Sequence, residues 1–139
     1  MPFVLDASVA GSWALRDEQN PHADAARQRI LSDHAVAPSL WWFEIRNIIV
    51  VKERMKRITE ADSAIFLSWM VRLKVALEPL PESGEVLQLA RKHELTVYDA
   101  VYLELARRNG IPLATLDKEL TAAARAEGVP IVGDQMGIW

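Results

Sequence analysis

Short apolar runs alternate along this chain with longer stretches whose apolar residues recur at helical spacing. The short runs are FVLD (3–6), AVAP (35–38), VALEPL (75–80), PLATL (112–116) and VPIV (129–132), bounded by proline, glycine or aspartate. They are apolar on both faces, so they read as strands covered on both sides, as in a parallel sheet. Between them, PHADAARQRILSD, PSLWWFEIRNIIVVKERM, TEADSAIFLSWMVRL, ESGEVLQLARKHE, DAVYLELARRNG and DKELTAAARAEG carry the three-to-four-residue period of helices. Thr59 and Asp62 form a capping-box-like T-x-x-D, and Gly110 and Gly128 follow helix ends and lead into proline-containing strands. Strand and helix alternate from end to end, which predicts a three-layer α/β/α fold with a mainly parallel central sheet. No linker, repeat or low-complexity segment interrupts the pattern, so residues 1–139 are expected to form a single domain.

That architecture sorts the polar residues. In open α/β sheets the ligand site forms beyond the carboxyl ends of the strands. Asp6 ends the first strand and Asp117 follows PLATL, so both are expected at one rim. Glu44 has Leu40, Trp41, Asn47 and Ile48 as its neighbours three and four residues away, which puts a carboxylate on a largely apolar helix face. Asp99 opens a helix in which Val101, Leu105 and Ala106 look like core positions.

Each acid has a plain structural explanation. Asp117 could cap DKELTAAARA, Asp99 could sit in a first helical turn behind Thr96, Asp6 could cap the first helix, and Glu44 could pair with a buried arginine. Together they say more. Two like charges 4 Å apart repel by about 1 kcal/mol in water and several times that near a protein surface. Converging carboxylates therefore call for protons or a cation, and an oxygen-only ligand set favours a hard ion, Mg²⁺ or Mn²⁺.

Composition narrows the chemistry further. The absence of cysteine removes disulfides, thiolate nucleophiles and sulfur-bound zinc, and fits a reducing cytoplasm. His22, His34 and His93 lack paired metal spacing, and His93 is expected on the surface in a last helical turn. No apolar run reaches the length of a signal peptide or membrane span, so a cytoplasmic protein without a membrane partner is expected. A net charge of −3 advertises no broad basic face; KERMKR (52–57) is the best local phosphate-binding patch, though such runs are usually solvated helix ends.

FVLDASV, PSLWWFEIRNII, LTVYDAVYLELA and PLATLDKEL resemble, in order and spacing, the acidic motifs of PIN-domain ribonucleases, and most closely the VapC-type toxins of type II toxin–antitoxin systems. The resemblance spans nearly the whole chain. It implies a PIN fold, a metal-dependent endoribonuclease hydrolysing RNA phosphodiester bonds, and an antitoxin protein as partner. The family's acidic quartet falls on Asp6, Glu44, Asp99 and Asp117. It implies Asp6 and Asp99 as the principal magnesium ligands, and Glu44 and Asp117 as ligands through water or to a second ion. Ser8 and Thr115 match positions that support the site, and Glu119 is the nearest match to a further acid found in many relatives. Dimers are common in the family, so a homodimer is expected. Asn47, one turn from Glu44, is a candidate donor to a ligand.

The tryptophans are expected mainly in the core or on a dimer face rather than stacked on bases; Trp41 and Trp42 begin the Glu44 helix, Trp69 lies among Ile65, Phe66 and Leu73, and Trp139 ends an apolar tail. A receiver-type signalling domain would want paired acids at the first strand and a central-strand phosphorylation aspartate, and a haloacid-dehalogenase-type phosphatase would want D-x-D where this chain has DAS. A non-catalytic or differently targeted PIN-fold module, acting through protein or nucleic-acid binding, is the alternative function.

Overall fold

The apolar run Phe3–Leu5 forms β1, fully buried and placed inside a four-stranded sheet. The computed structural model describes residues 1–15 and 19–134. The remaining elements in chain order are α1 (Ala7–Ser12), α2 (Pro21–Arg29), β2 (Ala35–Pro38), α3 (Leu40–Arg54), α4 (Glu60–Leu73), β3 (Ala76–Glu78), α5 (Ser83–His93), α6 (Val97–Asn109), β4 (Leu113–Ala114) and α7 (Lys118–Ala126). The sheet order is β3-β2-β1-β4 and every pairing is parallel, with Val4 opposite both Val36 and Leu113. β1, β2 and β4 are buried throughout, whereas β3 forms a more exposed edge. The runs that form β1, β2 and β4 thus become strands for the reason their pattern suggests: both faces are covered.

Helix α6 packs across β1, β2 and β4 and is flanked by α5 and α7, while α2 and α3 pack on β4 and β2 and meet through α1. The result is the expected three-layer α/β/α arrangement. Five successive α6 residues, Tyr102 to Ala106, are buried, because this helix lies between the sheet and two neighbouring helices. Leu103 and Leu105 each contribute roughly 1.5–3 kcal/mol of apolar burial. Glu104 is tolerated there because Arg108 Nε donates to it at 2.8 Å. Val101, expected in the core, is only partly covered.

Local signals at helix ends agree with the sequence. Thr59 and Asp62 complete a reciprocal capping box, and Gly110 takes the left-handed C-cap position at φ 63°. The VPIV segment departs from expectation. It contributes one isolated bridge, Ile131 to Leu113, rather than a strand. Pro130 offers no N–H, and the chain turns at Gly133 (φ 99°), where a Cβ would stand 2.8 Å from the His22 ring. The tail ending in Trp139 lies outside the described residues.

His93 is also not a surface residue. Its side chain is 12% exposed, and its Nε2 meets Glu127 at 2.6 Å. The Glu127 carboxylate, 7% exposed, also pairs with Lys92 Nζ at 2.8 Å and Arg107 Nε at 3.6 Å, joining the end of α7 to α5 and α6. Lys92 and then His93 hold its pKa down at about 2. A depressed carboxylate stabilises the fold above its unfolded-state pKa and loses that contribution as pH falls through its folded value. Urea midpoints of the wild type should therefore fall between about pH 4.5 and pH 2, and Glu127→Gln should lose about 1–3 kcal/mol at pH 7 while flattening that acid limb. An unchanged acid limb in the variant would count against this network.

Candidate active site

β1 ends at Leu5, and the next residue turns its carboxylate toward the carboxyl edge of the sheet rather than capping α1. Asp6 stands at the N-cap of α1, and its backbone carbonyl accepts from the Val9 and Ala10 N–H groups. Its side chain is 5% exposed and is held by two hydroxyls on the same oxygen: Ser8 Oγ donates to Oδ2 at 2.8 Å and Thr115 Oγ1 at 2.7 Å. Thr115 also accepts the Asp117 N–H at 3.1 Å, and Ser8 accepts the Leu116 N–H at 3.1 Å. The turns after β1 and β4 are thereby laced together through the Asp6 carboxylate.

Asp117 caps α7, its Oδ1 accepting the Leu120 N–H at 2.8 Å, so the plain structural reading of this residue holds. It also lines a cleft of about 320 Å³ together with Asp6, Ser8, Glu44, Asn47 and Asp99. Asp99 stands in the first turn of α6, behind Thr96, whose hydroxyl accepts the Asp99 N–H at 3.1 Å. Glu44 reaches the cleft from α3. Its partner is not a buried arginine: the Tyr102 hydroxyl donates to Glu44 Oε1 at 2.5 Å. Asn47 lies on the exposed rim one turn further along α3. The four candidate acids thus come from four separate segments into one cleft, with Ser8, Thr115 and Asn47 around them. Glu119 is exposed on α7, close enough for its charge to act on Asp99.

Gly11 helps to set this geometry. A Cβ on Gly11 would stand 2.9 Å from Ile48 Cδ1, so glycine allows α1 to approach α3 and brings the Asp6 turn near Glu44.

The electrostatics match the crowding. Burial pushes the Asp6 carboxyl above the usual carboxylate range, against the pull of the Thr115 and Ser8 bonds, and Asp117 adds to the rise. Burial likewise raises Glu44, with Asp6 and Asp99 contributing, and raises Asp99, with Asp117 and Asp6 contributing. Among the described residues no three His, Asp or Glu side chains are gathered as a finished metal cage. The cleft instead lines up carboxylates that repel one another.

Two functional candidates escape sequence reasoning. Tyr102 is fully buried, and its link to Glu44 spans 58 residues of chain; the available signal was its place one turn after Asp99 on α6. Phe43, beside Glu44, lines the cleft while remaining 66% exposed.

Residues 3–126 match the PIN-domain family. The chain belongs to that family, and within it to the VapC type. It is 31% identical to the Pyrobaculum aerophilum protein named Ribonuclease VapC3 over 124 residues, 86% of this chain and 92% of the relative. It is 32% identical to Exonuclease VapC9 of the same organism over 83 residues, 60% of this chain and 62% of that one. The crystal structure of PAE2754 from Pyrobaculum aerophilum superposes with a TM-score of 0.70 at 26% identity, covering 95% of this chain and 84% of that chain. The matched span of the PIN domain contains all four cleft acids.

Raised carboxylate pKa values carry a stability consequence for this PIN domain. A group whose folded pKa lies above its unfolded value favours folding below the unfolded pKa and loses that benefit as pH rises through the folded one. In EDTA, stability should therefore decline as pH rises from about 4 through the folded-state pKa values of Asp6, Glu44 and Asp99. Asp6→Asn should flatten that decline and, at pH 7, stabilise the metal-free protein by about 1 kcal/mol or more in urea titrations. A destabilised Asp6→Asn variant at pH 7 would contradict the repulsion described.

Proposed function

We propose that this VapC-type PIN domain is a metal-dependent endoribonuclease, the toxin of a toxin–antitoxin pair, using Mg²⁺ or in its place Mn²⁺. The observation that carries the reading is the convergence of Asp6, Glu44, Asp99 and Asp117 in one cleft at the carboxyl edge of the sheet. Its support among relatives is the name of Ribonuclease VapC3 and the family match. The donor set fits a hard divalent cation: it is all oxygen, and three of its members are raised by burial and by one another's charge.

In this reading Asp6 and Asp99 are the principal metal ligands, and Glu44 and Asp117 act through water or on a second ion. When bound, the ion would lower the pKa of a water, polarise a phosphate oxygen and neutralise the leaving oxygen. The protein supplies the rest. Ser8 and Thr115 fix the Asp6 carboxylate by donating to one oxygen. Tyr102 restrains Glu44 in the same way. Asn47 offers an amide at the rim to a ligand or a phosphate. No protein nucleophile is required, which suits a chain without cysteine.

The antitoxin is assigned to a separate surface, a groove of about 1480 Å³ between α2 and α4 lined by Trp13, Arg27, Phe66, Trp69 and Arg72 among others. An apolar floor with charged margins of both signs, Arg27 and Arg72 beside Asp24 and Asp62, suits an amphipathic helical segment. A homodimer belongs to the same reading. Among the described residues no helix is long and apolar enough to cross a membrane.

Purified, partner-free protein should cut a circular RNA in Mg²⁺ or Mn²⁺ and not in EDTA; a circle has no ends, so this separates endonuclease from exonuclease action. Asp6→Asn and Asp99→Asn should each lower kcat/KM by about 100-fold or more, since several kcal/mol of charge stabilisation pass through the ligands. Equal cutting by these variants, or cutting in EDTA, would overturn the proposal. Saturation with Mn²⁺ at 100 times its Kd should stabilise the wild type by about 2.7 kcal/mol in thermal melts, and Asp6→Asn should lose most of that response. Tyr102→Phe, which deletes the hydroxyl on Glu44, should reduce activity by about 10- to 100-fold without loss of fold by circular dichroism.

A further inference from the structure

Helix α3 turns Trp41, Ile45 and Ile49 into the core and leaves Trp42 and Phe43 facing outward. Phe43 is 66% exposed and Trp42 45% exposed. These two rings are not scattered surface apolars. Phe43 lines the acid cleft next to Glu44, and Asn47, one turn on, lines it as well. The rings meet edge to face with centroids 5.1 Å apart at 69°. Arg46 lies over Trp42, its guanidinium carbon 3.7 Å from the ring centroid, and its Nη1 donates to the Trp42 carbonyl at 2.9 Å. Trp42 thus packs against Phe43 edge to face and carries Arg46 over its ring.

An exposed aromatic next to a cluster of carboxylates suits a ligand with a flat apolar surface attached to an anion once a cation in the cleft offsets the acids' charge. A nucleotide has both. Stacking on an aromatic needs an uncovered base face, which a base inside a duplex does not offer.

We infer that Phe43 is the stacking platform for a nucleobase next to the scissile phosphate; the inference rests on the nuclease reading of the same site. Phe43 is a positioning residue and takes no part in bond breaking.

The test uses short single-stranded RNAs carrying 2-aminopurine at each position in turn, with binding read by its quenching and cleavage of the same strands read separately. In the wild type one position should quench strongly, and replacing that nucleotide by an abasic residue should weaken binding by about 5- to 150-fold, the range of a base–aromatic stack. Phe43→Ala should lose the quench and a similar factor in affinity, and should gain no further loss on the abasic strand. Phe43→Trp should restore both. Single-strand affinity and quenching unchanged in Phe43→Ala, in a wild type that cuts RNA, overturn this inference and leave the nuclease reading standing. A wild type that binds and quenches but cuts nothing in Mg²⁺ or Mn²⁺ overturns the nuclease reading and supports the platform. A Phe43→Ala loss that accompanies a change from dimer to monomer in sedimentation velocity overturns the inference, assigning this face to a second copy of the chain.

Discussion

The Asp6 carboxylate, 5% exposed at the end of an interior strand, is the constraint around which the rest of the site is arranged. A carboxylate there loses most of its hydration, and the fold compensates only in part, with hydroxyls from Ser8 and Thr115. Those two hydroxyls also tie down the turns after β1 and β4 through the Leu116 and Asp117 N–H groups. The group that destabilises the site is therefore the one that shapes it. Loss of its ability to accept hydrogen bonds would loosen the position of Asp117 as well.

The parallel sheet explains why such a site can exist. Because β1, β2 and β4 run the same way, their carboxyl ends lie on one edge, and the segments leaving them deliver Asp6, Glu44 and Asp117 toward a common space. Helix α6 crosses the same strands and carries Asp99 in its first turn, with Tyr102 one turn behind to reach Glu44. Precision comes from rigid elements rather than loops. Gly11 adds the last condition, since a side chain there would press on Ile48, which lines the same cleft.

Much of this is legible in the sequence because it is encoded locally. A strand ending on aspartate, an acid on an apolar helix face and an acid in a first helical turn each leave a mark within a few residues. The order of the four motifs then fixes the family. What stays hidden depends on distant partners. Tyr102 reads as an ordinary core aromatic until the fold brings its hydroxyl within hydrogen-bond reach of Glu44 on α3. Glu127 reads as a helix-end acid, and His93 as a surface one, until α5 and α7 bring them within 2.6 Å. VPIV has the composition of a strand, and only Pro130 and the turn at Gly133 hold it to a single bridge. The left-handed caps at Lys74 and Glu94 carry no glycine to announce them.

Glu127 and the cleft acids are ionised groups of opposite consequence in one fold. Glu127 is surrounded by Lys92, His93 and Arg107, so its charge is favourable once pH exceeds the ordinary carboxylate range. Asp6, Glu44 and Asp99 face burial and one another, so their charges subtract from stability over the range above it. For the metal-free chain these carboxyl groups together place the stability optimum on the acid side of neutrality. A divalent cation in the cleft would reverse the sign of the second set and move that optimum upward. A structural network that is satisfied within the fold and a cleft that is left in deficit are distinguishable by this criterion, and the deficit is what the proposed cation would offset.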